Sequence, residues 1–229
     1  MKGRLNGLLY VMEEHKVINH PFLKDFRDGK FTKEQVKFWA EQQFFFSVSL
    51  PNCFAALFAR IPDKNWKIKR SLVDLLKLEA WGSSDDGAHS NYFKELCKYL
   101  KVDLGDLSDK QPKSYTYDYI NERLRYCLQE PIENGLAVIA IGNEKINLHI
   151  FSAYREGINK VKGLEHIPTG YFDAHLQDED NDFLVFSKLF DSIVYNERQM
   201  IGARVALESL LNKRKIYFDK LYSDLLKII

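Results

Sequence analysis

The feature that most constrains this chain is a long helical signal with a marked start. The stretch "FTKEQVKFWAEQQFFFSVSLPNCFAALFAR" opens on Thr32 with Gln35 three positions later, the spacing of a capping box in which each side chain satisfies the other's backbone N–H. The pattern predicts one helix running on through "PNCFAALFAR", kinked at Pro51, where a backbone donor is lost.

Helical punctuation recurs along the rest of the chain. In "HPFLKDFRDG", Pro21 marks a helix start and Gly29 its stop. Asp63 is placed to cap "KNWKIKRSLVDLLKLEAW", where Leu72, Leu75, Leu76 and Leu78 keep an approximate 3.6-residue period until "WGSSDDG" breaks it. "AHSNYFKELCKYL" resumes a helix, "LGDLSDKQPKS" reads as a loop, and "YTYDYINERLRYCLQE" is helical again. Pro131 begins "PIENGLAVIAIGNEKINLHIFSAYREGINK", a loop around "GLEHIPTG" comes next, and Phe183 to Leu225 supply one or two further amphipathic helices. No stretch alternates cleanly, and no Asn-Gly or Asp-Gly hairpin joins β-branched runs. The expectation is an all-α single domain over residues 1–229, a bundle of about seven or eight helices.

Charge narrows the function classes. The 33 basic and 32 acidic residues nearly cancel with no block of one sign, which lacks the electrostatic footprint of a nucleic-acid binder. Cys53, Cys97 and Cys127 are far apart and odd in number, so they read as packing residues in a reducing compartment rather than a disulfide framework. The N-terminus carries charges too early for a signal peptide, and no apolar run approaches the ~18 residues of a membrane span. A cytoplasmic, soluble protein with no membrane partner is expected.

Several polar residues stand where apolar ones are expected. Glu144 follows a nearly unbroken apolar run in "LAVIAIGNEKINLHIF". It either turns inward, where a carboxylate needs a partner or a metal, or outward beside Asn143 and Lys145. Glu79 shares a helix face with Leu75 and Leu76, and His89 follows ten residues later as either a capping histidine or a ligand.

The segment "YFDAHLQDEDNDF", residues 171–183, holds one histidine and five acidic residues. As a helix it puts His175, Glu179 and Asp182 on one stripe at i, i+4 and i+7, with Asp173, Asp178 and Asp180 fanning into solvent. As an acidic loop, which "QDEDND" also suits, that geometry vanishes. Together Glu79, His89, Glu144, His175, Glu179 and Asp182 give four carboxylates and two imidazoles, the hard-donor mixture that a non-heme dimetal centre needs. The Glu-x-x-His spacing of ferritin-like proteins does not occur.

The pattern resembles the heme-oxygenase-like diiron oxidases, relatives of the thiaminase II and pyrroloquinoline-quinone synthase C proteins. "NHPFLKDFRDGKFTKEQVKFWAEQQFFF" looks like that group's first helices, and "IPDKNWKIKRSLVDLLKLEAW" like the helix carrying its first glutamate. The resemblance implies a heme-oxygenase-like bundle in which Glu79 and His89 form the first ligand pair, Glu144 is the central glutamate and His175 opens the last motif. Glu79 and Glu144 would be catalytic as well as metal-binding. Glu179 stands where the group has Asp, and Asp182 where it has a final His; with Asp178 as a rival ligand, these departures make the second metal site richer in oxygen donors.

The implied chemistry is O2 reduction at two Fe(II) ions, with manganese admissible at one, followed by attack on a small amino-acid or fatty-acid substrate, with an external electron donor and a homodimer as admissible partners. Within the group the chain looks most like the nitrile-forming oxidase that turns a tryptophan, often brominated, into an indole carbonitrile. Aromatic candidates for the substrate pocket are Trp39, Phe44, Phe45 and Phe46 on one helix, and Tyr171, Phe172, Phe183 and Phe186 around the last motif; all are equally suited to an ordinary core. Arg60, Lys145 and Arg155 are candidates to hold a substrate carboxylate.

Other readings in the same fold are a thiaminase II-like hydrolase with one of the three cysteines as nucleophile, a cofactor-free oxidase like the quinone synthase, and a heme protein using His15 or His20 as axial ligand. A non-enzymatic interaction protein, as one relative was first described, is the alternative from a different class.

Overall fold

The computed structural model describes residues 3–81 and 88–228, with only the backbone for residues 178–181. Its α-helices are α1 (Leu9–Glu13), α2 (Pro21–Arg27), α3 (Lys33–Arg60), α4 (Trp66–Glu79), α5 (His89–Leu100), α6 (Leu104–Ser108), α7 (Ser114–Leu128), α8 (Ile132–Ile139), α9 (Ile146–Gly157), α10 (Gly170–Ile193) and α11 (Glu197–Leu225). Among the described residues there is no strand.

The excess over the seven or eight helices expected comes from short elements and one interruption. The five-residue α1 and α6 escape a periodicity test because a single turn shows no period. The supposed loop "LGDLSDKQPKS" contains α6, started by the Asp103 carboxylate accepting from Asp106 N at 3.1 Å. Residues 140–145 form a π-helical turn that joins α8 to α9.

The expected punctuation holds where backbone donors needed it. Thr32 Oγ1 accepts from Gln35 N at 3.3 Å, and Gln35 Oε1 accepts from Thr32 N at 2.8 Å. Helix α3 then continues past Pro51. Pro21 is the first residue of α2, and Gly29 sits just past its end at φ 69°, a conformation few other residues adopt without strain. Asp63 does not cap α4. It lies in a 3₁₀ turn before that helix, and its carboxylate accepts from Lys69 Nζ at 3.1 Å instead.

Helix α11 packs on α8 and α7, α10 on α9 and α5, α3 on α7 and α4, and α2 on α9. Phe22, Phe26, Trp39, Tyr154 and Phe172 interlock at one end of the core, with ring centroids 4.6 Å apart for Phe26–Tyr154 and 4.9 Å for Trp39–Tyr154. Each such pair adds roughly 0.5–1.5 kcal/mol beyond area burial. The approach of α2 to α9 requires Gly157, because a Cβ there would lie 1.7 Å from the Phe26 carbonyl oxygen. No single helix among the described residues is long and apolar enough to cross a membrane.

Candidate metal centre

Three helices deliver three ligand-capable side chains to one point. Glu79 is the last residue of α4, His89 the first of α5, and His175 lies one turn into α10. They are 8%, 4% and 6% exposed, and one ligand atom from each lies within 4.8 Å of the others. His89 Nδ1 and Glu79 Oε1 are 2.7 Å apart, and the two imidazole centroids are 4.3 Å apart.

The ring of His175 is fixed on both sides. Its Nδ1 donates to the Tyr171 carbonyl at 2.8 Å, which makes Nε2 the nitrogen that carries the lone pair. Phe151 stacks on it with centroids 4.0 Å apart and planes 7° off parallel. Burial pushes the Glu79 carboxyl up, but the charge and hydrogen bond of His89, aided by His175 and Arg123, outweigh it and hold Glu79 below the usual carboxylate range. An ionised carboxylate is the form that binds a cation.

Two imidazoles and one ionised carboxylate, buried and converging, suit a divalent transition metal such as Fe(II). Among the described residues this is the one group of three or more His, Cys, Asp and Glu side chains whose ligand atoms converge this closely.

Glu144 turns inward, settling its direction. It is 2% exposed within the π-helical turn, and its Oε1 accepts from Asn143 Nδ2 at 3.1 Å. A π turn adds a residue to the helix and rotates the residues beyond it about the axis. Residues 134–144 are buried on every face, so Asn143 and Glu144 both lie inside. Asn143 Oδ1 in turn accepts from Arg123 Nη1 at 2.9 Å and Arg214 Nη2 at 3.2 Å. Asp182 is also buried, 5% exposed, on the same helix as His175. Neither Glu144 nor Asp182 belongs to the converging three. Residues 171–183 are helical, as the stripe required, but the side chains of Asp178, Glu179 and Asp180 lie outside the described residues. Asp173 lies off the ligand stripe as expected, 40% exposed, and accepts from Arg155 Nε at 2.6 Å and Thr169 Oγ1 at 2.7 Å.

A small cavity of about 20 Å³, room for about one water molecule, lies beside the triad, walled by Phe46, Trp81, Phe93 and Phe151 with polar inserts from Gln43, Ser47 and Asn147. Tyr171 lines it as expected; its hydroxyl accepts from Gln43 Nε2 at 2.9 Å and bonds Ser47 Oγ at 3.0 Å. Phe46, also a candidate, lines it too, and the remaining aromatic candidates lie elsewhere. Phe44 and Phe45 pack against each other, with Phe44 edge-on to Trp81. Trp39 and Phe172 stack in the core, and Phe186 packs on Phe54. Phe183 lies under Lys145 Nζ, 5.4 Å away, near the surface.

The cationic candidates are likewise engaged. Arg60 donates to the Cys127 and Glu130 carbonyls, ending α7, and Arg155 pairs with Asp173. His15 and His20 act as helix caps, accepting from Val17 N and Phe22 N, and neither lines the triad cavity. None of the three cysteines lines it either. Burial pushes the Cys97 thiol up to about 12, whereas Cys53, bonded by Cys127 and near Arg123, is held down to about 7 in the core.

Sequence reasoning missed Gln43, Asn147, Arg123 and Arg214. Asn147 had a signal, because it follows Glu144 by three residues and Phe151 follows it by four, one helical face. Arg214, inside "NKRK", had none: its neighbours are solvated lysines.

Comparison with known proteins fits this architecture. The sequence profile of the TENA/THI-4/PQQC family matches residues 12–170, more than half of the chain. The chain is 22% identical over 135 residues to the 4-aminobenzoate synthase of Chlamydia muridarum, a match that covers 59% of this chain and 55%, about half, of that relative. It is 22% identical over 179 residues to the 4-chloro-allylglycine synthase of Streptantibioticus cattleyicolor, covering 78% of this chain and 67% of the other. Among solved structures, a TenA homologue from P. horikoshii OT3 superposes with a TM-score of 0.77 at 16% identity over 96% of this chain and 99% of its own. A domain from Shewanella denitrificans with a heme oxygenase-like fold gives 0.71 at 14% identity over 96% and 88%. The all-α architecture is therefore the heme-oxygenase-like fold.

Proposed function

The chain belongs to the TENA/THI-4/PQQC family, and from that premise we propose that it is an O2-dependent, non-heme iron oxidase of a small amino-acid-like molecule. The observation that carries the reading is the buried convergence of Glu79, His89 and His175 on one wall of a largely aromatic cavity. The names of the two relatives, synthases of an aminobenzoate and of an unsaturated amino acid, favour substrates of that size.

We assign the first ion to Glu79, His89 and His175, and a second to Glu144, Glu179 and Asp182, with manganese admissible at one of the two. Bound ferrous iron supplies electrons that let O2 react with closed-shell organic molecules. The protein does the rest. Glu79 offsets cationic charge, and the Tyr171 carbonyl holds the proton on His175 Nδ1 so that Nε2 keeps its lone pair. Phe46, Trp81, Phe93 and Phe151 exclude water from the reacting centre. The Tyr171 hydroxyl, anchored by Gln43 and Ser47, stays protonated because burial pushes it up, and so can donate a hydrogen bond.

In its most specific form the proposal is conversion of tryptophan or a bromotryptophan to an indole carbonitrile, with an external electron donor completing the redox balance. A cysteine hydrolase would need a thiol at this cavity, and Cys53, Cys97 and Cys127 all lie in the core away from its lining. The test is anaerobic Fe(II) loading followed by oxygen-electrode measurements with a panel of amino acids. The proposal expects about two irons per chain and O2 uptake that needs both iron and a substrate. Undiminished turnover by metal-free protein would sink it.

A further inference from the structure

The hydrogen bonds that hold Glu144 and those that line the triad cavity approach each other without meeting. On one side, Asn143 Nδ2 donates to Glu144 Oε1 at 3.1 Å, and Arg214 Nη2 donates to Asn143 Oδ1 at 3.2 Å. On the other, Gln43 Nε2 donates to the Tyr171 hydroxyl at 2.9 Å, at the cavity beside the triad. Arg214 spends its Nε on the Tyr119 hydroxyl. The atoms left over are Arg214 Nη1 on the first side and Gln43 Oε1 on the second.

Arg214 and Gln43 both line a second small cavity, of about 20 Å³, with room for about one water molecule, and Asn147 and Tyr217 line it with them. The four side chains are 3%, 7%, 4% and 5% exposed, so none draws on bulk solvent. Among the described residues Arg214 Nη1, Gln43 Oε1, the Asn147 side-chain amide and the Tyr217 hydroxyl have no hydrogen-bond partner. Polar groups buried this deeply are nearly always paired, with ordered water where the protein supplies nothing. The valences match one molecule. Arg214 Nη1 and the Tyr217 hydroxyl can donate, Gln43 Oε1 and Asn147 Oδ1 can accept, and water offers two of each. A larger ligand has neither the room nor the match.

We propose that one bound water in this second cavity closes a continuous hydrogen-bonded bridge from Glu144 to Tyr171. Arg214 Nη1 and the Tyr217 hydroxyl donate to it, and it donates to Gln43 Oε1 and Asn147 Oδ1. Through Gln43 the bridge holds the Tyr171 hydroxyl at the triad cavity, and through Arg214 and Asn143 it holds the Glu144 carboxylate. One network thereby positions groups on both sides of the core. The bridge belongs to the folded chain and does not rest on the triad holding iron.

The test is a crystal structure of the metal-free full-length protein at a resolution that orders internal solvent, with Asn147→Leu and Asn147→Asp beside it. The expected wild-type result is a single water within about 3.2 Å of both Arg214 Nη1 and Gln43 Oε1. Asn147→Leu, similar in shape but without an acceptor, should lose that water. Asn147→Asp keeps Oδ1 and should keep it. No such density in the wild type, a side chain filling the cavity, a water that stays in Asn147→Leu, or its loss from Asn147→Asp each overturns the proposal. Should Asn147→Leu not fold, the wild-type density decides alone.

Discussion

His175 and Tyr171 stand one helical turn apart, and the imidazole Nδ1–H of the first donates to the backbone carbonyl of the second at 2.8 Å. Since that bond consumes Nδ1, the lone pair of Nε2 is presented to Glu79 and His89. Backbone geometry thus sets the chemistry of a side chain.

Removing that ring should therefore remove metal affinity before it removes the fold. His175→Ala is expected to bind Co(II) or Fe(II) at least about tenfold more weakly. In thermal melts the wild type should gain stability on metal addition and the variant should not. An equal metal-induced shift in both proteins would exclude His175 as a ligand.

The His89–Glu79 pair carries a stability consequence that needs no metal. Glu79→Ala takes away the acceptor 2.7 Å from His89 Nδ1 in a site where both side chains are buried. Loss of one such buried contact costs about 1–3 kcal/mol, to be read from urea unfolding of the metal-free protein. An unchanged midpoint and slope would contradict the role assigned to the pair.

Gly157→Ala is expected to be far more damaging than its size suggests. Its Cβ would meet the Phe26 carbonyl oxygen at 1.7 Å, and backbone cannot swing aside as a flexible side chain does. The cost should be about 4 kcal/mol or more, the range of exceptional single substitutions, visible as loss of soluble protein or a collapsed urea midpoint.

A histidine outside the site should make stability depend on pH. His20 is 3% exposed; its Nδ1 accepts from Phe22 N while Nε2 bonds the Asp219 carboxylate, so the ring works in its neutral form. Burial lowers its pKa, and it outweighs the opposing pull of Asp219. A histidine that titrates lower when folded contributes stability in full above its ordinary value of about 6.5 and loses it as pH falls toward the folded value. His20→Asn keeps a capping oxygen, so it should flatten that part of the stability curve. An identical pH slope in both proteins would refute the assignment.

How much of this was legible in the sequence depends on how local the cause is. Thr32 and Gln35 announced α3 because a capping box is complete within four residues, and Pro21 and Gly29 bounded α2 for the same reason. The five-residue α1 and α6 were invisible, since one turn has no period. At the site, Glu79 stood out on a leucine face and His175 on a stripe with Glu179 and Asp182, while His89 read equally as a helix cap until the family resemblance paired it with Glu79; the fold brings the three together. What a sequence cannot show is which way a ring faces within an aromatic run. Phe46 rather than Phe44 or Phe45 lines the cavity because the packing of Trp81 and Tyr119 decides the rotation. Arg214 was hidden among lysines, and its burial comes from the long-range packing of α11 on α7 and α8.

The central claim is tested most directly by a crystal structure of the iron-loaded protein with anomalous scattering recorded at the iron edge. The account predicts a peak bounded by Glu79, His89 and His175, with a second toward Glu144. An iron-loaded protein with no peak among those three side chains, or with its iron bound elsewhere, would contradict it.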